Sequence, residues 1–249
     1  MYNLFSEICR VAYGDMCFFR RNFLTILVSS LMGPLMYLVA FGYGMRSGSV
    51  EGGVDYISYV IPGLVAMTSM TAGFATSAQK IVIQRLFHTS FDEMILSPMH
   101  LLSIVFGKSV IGAAKSLLGC TILIVLGLFI APEFMATPGM ICSMFLCCVM
   151  FSLMGVAAGL LSKSSVMLTS INSVVILPMT FLCGTLFSVS SLPDVVAAVI
   201  WALPLTHASE LIRSTSLGWD FPWVSLLVIS LYFIAFLVLD YMIIRKKLY

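Results

Sequence analysis

Residues 80–100 read KIVIQRLFHTSFDEMILSPMH and form the longest stretch of the chain in which charged side chains are dense. They include His88 and His100, two of the three histidines in the protein. Hydrophobic segments long enough to cross a bilayer lie on both sides. Contacts made outside the lipid are therefore expected in this stretch.

Within this stretch, Ser90-x-x-Glu93 predicts a capping box that opens a short helix over residues 90–97. Three apolar side chains share one face of this helix, and a proline follows its end: Phe91, Met94, Ile95 and Pro98. A helix of about two turns is too short to be stable alone, so it must dock on another surface. Two interpretations remain open, an ordinary interfacial loop helix and a docking helix for a separate motor subunit.

The composition excludes a soluble globular domain, because 60% of the residues are hydrophobic, 10% are charged and the mean hydropathy is +1.07. Alternating strand patterns are absent from the sequence, so we predict an all-α integral membrane protein. Six apolar stretches fit the length of a membrane-spanning helix, near residues 23–44, 56–79, 101–130, 139–161, 166–189 and 223–244.

The basic residues predict the orientation. If both termini are cytoplasmic, eleven of the 13 lysines and arginines lie on the cytoplasmic side, and Arg46 and Arg213 lie outside. This orientation is favoured because lysine and arginine concentrate in cytoplasmic loops. Residues 80–100 are then cytoplasmic. A helix over residues 101–130 would run about 45 Å, against a bilayer core of about 30 Å, so its first turns, with Lys108, are predicted to project into the cytoplasm.

Residues 1–21 predict an interfacial amphipathic helix on the cytoplasmic leaflet. Its apolar residues recur at helical spacing while Glu7 and Asp15 fall elsewhere, and two arginines close it. The residues that define this helix are Leu4, Ile8, Arg10, Arg20 and Arg21. It either anchors the bundle or moves with a motor.

Small and hydroxylated residues form two stripes, which would let helices approach closely or would face a substrate or a second subunit. The stripe in the second span is Ser69, Gly73 and Thr76, and the one in the fifth span is Asn172, Ser173 and Thr180.

Residues 190–216 are predicted to form a re-entrant or interfacial helical segment on the outer side, because their apolar run is too short to span and Pro204 interrupts it. Glu210 and Arg213 lie three residues apart on the following helix, which predicts mutual pairing. They would alternatively line an exit route for a polar headgroup.

Gly107-Lys108-Ser109 ends like a phosphate-binding loop, but Leu102 stands where the motif requires a glycine. We therefore expect no ATP binding by this chain, and we assign no catalytic residue and no metal ligand. Acidic residues are missing from the predicted span interiors, which argues against ion coupling. Asp240 is an isolated acid near the end of the last span.

The layout of an interfacial helix, six spans, a cytoplasmic helix and an outer segment resembles the type-2 ABC exporter permeases, over residues 1–249 as a single domain. Two stretches carry the resemblance: Arg85…Asp92-Glu93-Met-Ile-Leu-Ser-Pro98 is similar to the coupling region, and Pro204-Leu-Thr-His207-Ala-Ser-Glu210-Leu-Ile-Arg213 to the tail of the family signature. Within that family the chain resembles the permeases of bacterial nodulation-factor and antibiotic exporters.

This resemblance implies a multi-pass homodimer in a bacterial inner membrane, in contact with lipids and with two copies of a separate ATPase that binds ATP and Mg²⁺. It implies no nucleic-acid partner, and amphipathic substrates such as lipid-linked oligosaccharides, polysaccharides or hydrophobic drugs. The implied ATPase-coupling residues are Arg85, Ser90, Phe91, Asp92, Glu93, Met94 and Ile95. Alternatives are a component of a non-export lipid or signalling complex, and an ion-coupled secondary transporter.

Overall fold

A computed structural model describes residues 4–44, 56–88, 90–131, 134–182 and 200–248. Every regular element within these ranges is a helix, and a π-helical turn, Asn172–Ile176, joins α7 to α8. The helices are α1 (Leu4–Arg21), α2 (Phe23–Gly44), α3 (Tyr56–Leu86), α4 (Ser90–Leu96), α5 (Leu101–Ile130), α6 (Pro138–Leu161), α7 (Ser165–Ile171), α8 (Leu177–Leu182), α9 (Pro204–Leu217) and α10 (Trp223–Leu248).

Four of these helices, α3, α5, α6 and α10, are long and apolar enough to cross a membrane. The described part of the chain is thus all-helical, with four candidate membrane spans. The segments predicted near residues 23–44 and 166–189 coincide with α2 and with α7 to α8, except that residues 183–189 lie outside the described ranges. The helix predicted to leave the membrane at residue 79 continues to Leu86, because its sequence has no breaker before the turn at Phe87.

Helix α3 lies at the centre of the bundle and packs mainly against α5 and α6. Gly155 permits this approach, because a Cβ there would overlap the backbone of Phe74. Serine hydroxyls link the three helices: Ser77 and Ser152 share a hydrogen bond of 2.6 Å, and Ser152 donates to the carbonyl oxygen of Ser109. Buried hydroxyls bonded between helices replace the water that lipid cannot supply.

Pro178 explains the π-helical turn. A proline ring collides with the carbonyl group four residues earlier, here that of Val174, and a widened turn relieves the collision. Val174 lies within the π-helical turn, as this account requires.

Helix α9 packs on α3 and α6 and is followed by α10, which packs on α6. It begins with Pro204 in its first turn and ends at Gly218, whose φ of 70° suits a residue without a Cβ. Residues 190–199 of the predicted outer segment lie outside the described ranges.

Candidate functional site at the junction of α1, α3, α4 and α5

Helix α4 has two faces. Phe91 is 1% exposed and Ile95 is 8% exposed, and both belong to an apolar cluster with residues of α3, α5, α6 and α10. Met94 is half-buried against this cluster, whereas Glu93 is exposed and Leu96 is 82% exposed. The surface on which this short helix docks is thus its own bundle, and its opposite face is free of the bundle.

The predicted capping box of Ser90 and Glu93 is not tested, because the structure does not describe the side chain of Ser90. The side chain of Asp92 is likewise not described. The helix ends at Leu96, in agreement with the predicted stop before Pro98. Ser97 donates its hydroxyl to the Met94 carbonyl oxygen and satisfies part of the helix end.

Arg85 joins α3 to the end of α6. Its Nη1 donates to the carbonyl oxygens of Gly159 at 2.9 Å, Leu160 at 2.5 Å and Ser162 at 3.3 Å. A cation there complements the last carbonyl groups and the negative end of a helix. The side chain predicted to hold an ATPase therefore also caps α6.

Helix α1 turns its acids inward, which corrects the predicted amphipathic pattern. Its buried face contains Glu7, Val11, Ala12, Asp15 and Phe19, and this face packs on α5. Of the residues that defined the predicted helix, Ile8 is half-buried and the others are exposed: Leu4, Arg10, Arg20 and Arg21. The acids are inside because α3 and α5 present basic and hydroxyl partners to them.

Asp15 is the centre of an ionic cluster with α3 and α5. Its Oδ2 lies 3.0 Å from the Lys108 Nζ, and its Oδ1 lies 3.3 Å from the Lys80 Nζ. The Gln84 Nε2 donates to the same Oδ1 at 3.2 Å. Lys108 is 2% exposed, because α1 covers it. A buried ammonium needs such a partner.

Glu7 forms the second attachment of α1. Its Oε2 accepts the backbone N–H of His100 at 3.0 Å and the Ser103 hydroxyl at 2.8 Å, at the start of α5. The His100 N–H, followed by the Ser103 hydroxyl, lowers the pKa of Glu7 below its ordinary value. This attachment is complete above the unfolded-state pKa and is lost as the pH falls through the lowered one.

The Gly107-Lys108-Ser109 sequence lies inside α5 and forms no loop. Gly107 marks the crossing of α1 over α5, because a Cβ there would lie 2.5 Å from the Val11 Cγ1. Lys108 binds Asp15, and the Ser109 carbonyl group accepts from Ser152. These three residues therefore serve helix packing.

The two predicted stripes have different environments. Ser69 and Gly73 are buried within the bundle, and Gly73 lies against α5 and α6, which agrees with a role in close helix packing. The Thr76 Oγ1 is buried without a hydrogen-bond partner among the described residues. Asn172 and Ser173 are exposed, and Thr180 is buried.

Two cavities of about 410 and 320 Å³ lie between α3 and the α7–α8 segment, and both are lined by Ala75 and Asn172. Thr68, Thr71 and Thr180 add hydroxyl groups to the apolar lining of the larger one. The face of α3 that lines these cavities is thus not the predicted stripe.

In α9, the charge of Glu210 favours the Arg213 guanidinium, and each of the two side chains also contacts a neighbouring helix. The Arg213 guanidinium lies 3.7 Å from the ring centroid of Tyr59, and its Nε donates to the Tyr59 carbonyl oxygen at 3.4 Å. Glu210 accepts the Ser225 hydroxyl at 2.5 Å. These contacts attach α9 to α3 and α10.

His207 joins the same network, with Nδ1 3.0 Å from the Ser225 Oγ and Nε2 2.8 Å from the Trp201 carbonyl oxygen. His207, Arg213 and Pro204 are buried. The four predicted residues of this segment therefore hold the fold of its described part together.

Sequence reasoning missed Glu7, Asp15 and their partners Lys80 and Lys108. One signal was available, since Glu7, Val11 and Asp15 recur every four residues and so share a face of α1. Their partners could not be identified this way, because Asp15 and Lys108 are separated by 93 residues.

Comparison with known proteins agrees with this architecture. The family model described as ABC-2 type transporter matches residues 11–217. Nodulation protein J of Neorhizobium galegae is 30% identical over 83% of this chain and 82% of its own length. The inner membrane transport permease YadH of Escherichia coli K12 is 25% identical over 90% of this chain and 91% of its own length. The chain therefore belongs to the ABC-2 type transporter family, whose members are the membrane permease components of ABC transporters.

Proposed function

We propose that this chain is the permease subunit of an ATP-driven exporter in a bacterial inner membrane. Its family and its similarity to proteins named as a transport permease and a nodulation protein support this proposal. The cargo is an amphipathic molecule, a lipid-linked oligosaccharide, a polysaccharide or a hydrophobic drug. A separate ATPase binds ATP and Mg²⁺, and two copies of it serve a homodimer of this chain.

The observation that carries the proposal is the two-faced helix α4. Phe91 and Ile95 attach it to a cluster that includes Ile104 of α5, so a push on the exposed face is transmitted to the bundle. Glu93 and Leu96 supply a charged and an apolar contact on that face. In this scheme Glu93 contacts the ATPase directly, and Phe91 and Ile95 transmit its movement.

Helix α1 moves with the same unit. Asp15 holds it to Lys80 and Lys108, and Glu7 holds it to the start of α5 beside α4. A displacement of α4 and the first turn of α5 therefore displaces α1 as well.

The membrane arrangement in this proposal has six spans, formed by α2, α3, α5, α6, the α7–α8 segment and α10. Both termini are cytoplasmic, α4 is the coupling helix within residues 90–97, and residues 190–216 form an outer re-entrant segment. The two cavities beside Asn172 supply the substrate path, because their mostly apolar lining with a few hydroxyl groups suits an amphipathic cargo.

The test is reconstitution of the chain in vesicles with and without its partner ATPase, using Glu93→Arg and the matched charge reversal Lys163→Glu at another exposed position. We expect transport to require ATP and the partner. Glu93→Arg should insert normally and lower the transport per ATP hydrolysed by about tenfold or more, since reversing a charge in a contact costs several kcal/mol. Lys163→Glu should transport normally.

Transport that persists without ATP or the ATPase would exclude this function, and normal export by Glu93→Arg would exclude the coupling role. ATP hydrolysis without vectorial movement of cargo would instead favour a non-export lipid or signalling complex.

An ion-coupled carrier is the second candidate, and Asp240 favours it. This residue is 0% exposed within α10, and neither carboxylate oxygen has a hydrogen-bond partner among the described residues. Buried acids in spans serve as proton sites in many carriers. Transport driven by a pH gradient alone and abolished in Asp240→Asn would establish this second function.

A further inference from the structure

A cavity of about 480 Å³ lies between α1, α3, α4 and α5, on the side of α1 that faces the bundle. Its size is within the range of about 300–1,000 Å³ that is typical of small-molecule sites. Three basic side chains and one acidic side chain line it: Arg10, Lys80, Lys108 and Asp15. The lining therefore has an excess of positive charge.

Some hydrogen-bond donors and acceptors that line this cavity lack partners among the described residues. The Lys108 ammonium group can donate three hydrogen bonds. Among the described residues it donates one, to the Asp15 Oδ2 at 3.0 Å. Lys80 shares the same carboxylate, so two ammonium groups face one acid. The Gln84 Oε1 is buried and has no donor within the described part of the chain. A ligand that presents anionic oxygens and a hydroxyl group would satisfy both deficits.

The aromatic residues beside Lys80 indicate that the ligand is a lipid. The Lys80 Nζ lies 4.5 Å from the ring centroid of Phe18, and Phe18 is itself exposed on α1 together with Phe5 and Tyr13. Exposed aromatic residues on an amphipathic helix lie at the level of lipid headgroups. This placement would put the lysines near the depth of lipid phosphate groups.

We propose that this cavity binds the phosphate of an anionic phospholipid with a hydroxylated headgroup, of the phosphatidylglycerol type. Lys80 and Lys108 contact the phosphodiester, and the Gln84 side-chain oxygen accepts a headgroup hydroxyl. Arg10 has a favourable charge interaction with Glu7. The two lysines and Asp15 then carry one positive charge, which matches the single negative charge of a phosphodiester. The bound lipid would stabilise the packing of α1 on α3, α4 and α5.

This proposal rests on membrane insertion and not on the direction or energy source of transport, so it is tested on the full chain without any ATPase. The chain is placed in phosphatidylcholine nanodiscs with increasing fractions of phosphatidylglycerol of the same acyl chains, and thermal unfolding is recorded. A ligand that binds the folded state stabilises it by RT ln(1 + [L]/Kd), so the unfolding temperature rises with the logarithm of the ligand concentration above Kd. We expect such a rise for the wild-type chain.

Lys80→Gln should need about fivefold more phosphatidylglycerol for the same rise in unfolding temperature, the effect of one basic residue at an anionic surface. This variant should fold, because Lys80 is partly exposed and the ion pair between Asp15 and Lys108 remains. Lys80→Arg should restore the response, and Lys163→Gln, an exposed lysine far from the cavity in sequence, should respond as the wild-type chain does.

The proposal is overturned if Lys163→Gln weakens the response as much as Lys80→Gln, since the effect would then be general surface charge. Equal stabilisation by phosphatidylcholine alone, or by millimolar inorganic phosphate in detergent, would overturn it as well. A Lys80→Gln chain that keeps the full lipid response would also overturn the proposal.

Discussion

At the scale of single residues, Gly155 controls how closely α6 approaches α3. A Cβ at this position would overlap the Phe74 backbone, which cannot move without displacing the central helix. Gly139 in the same helix has its nearest neighbour 3.6 Å from where a Cβ would lie, an ordinary contact distance. The two glycines thus have different constraints within one helix.

We expect Gly155→Ala to lower the free energy of unfolding by about 1–3 kcal/mol, the usual cost of overpacking, as measured by thermal or denaturant unfolding in detergent. Gly139→Ala is the matched control and should leave stability nearly unchanged. Equal stability of the two variants would show that α3 and α6 are not packed as closely as described.

At the scale of elements, α1 is attached by ionic contacts and not by an apolar face alone. Asp15 is the acid shared by Lys80 and Lys108, and Lys108 is almost fully buried by the packing of α1 on α5. Removing one member of a buried ion pair leaves an uncompensated charge, whereas removing both is less harmful.

Asp15→Asn should therefore destabilise the chain by about 3–5 kcal/mol and increase hydrogen exchange along α1. Adding Lys108→Met to this variant should recover part of the loss, because no charge then remains buried at that site. Asp220→Asn makes the same chemical change at an exposed position and should have little effect. Unchanged exchange of α1 in Asp15→Asn would contradict an ionic attachment.

At the scale of the whole molecule, the exposed faces differ in character. The outer face of α10 is apolar and suits lipid, with exposed residues such as Leu227, Leu231 and Ile234. The α7–α8 segment also exposes Asn172 and Ser173. Polar groups in a membrane need partners, and a second copy of the chain can provide them.

We therefore expect a homodimer whose contact includes the α7–α8 segment. Val174→Trp places a bulky group on that face and should lower the dimer fraction measured by light scattering in detergent, by roughly tenfold in the dimerisation constant if the added bulk costs about 1.4 kcal/mol. Leu231→Trp on α10 is the lipid-facing control. A monomeric wild-type chain, or equal losses in both variants, would contradict this contact.

The candidate site was predictable in its location but not in its contacts. Residues 80–100 were identified from charge density, and the helix over Ser90–Leu96 from its proline stop and apolar spacing. That Phe91 and Ile95 face the bundle while Glu93 faces outward follows from the shape of the cluster that receives them. The pattern alone showed that the apolar face needs a partner, without showing which one.

Hydropathy, proline stops and helix length are local properties, so the sequence by itself determined that the chain is a helical membrane protein and where most of its helices begin and end. Which face of each helix turns inward was decided by the tertiary structure. Apolar side chains suit lipid and protein interior equally, so the hydrophobic periodicity of a membrane helix does not distinguish its buried face from its lipid-facing one. The pairing of Glu7 with the start of α5, and of Asp15 with two lysines 65 and 93 residues away along the chain, required the folded bundle. Such contacts depend on distances in space, which spacing along the chain does not encode.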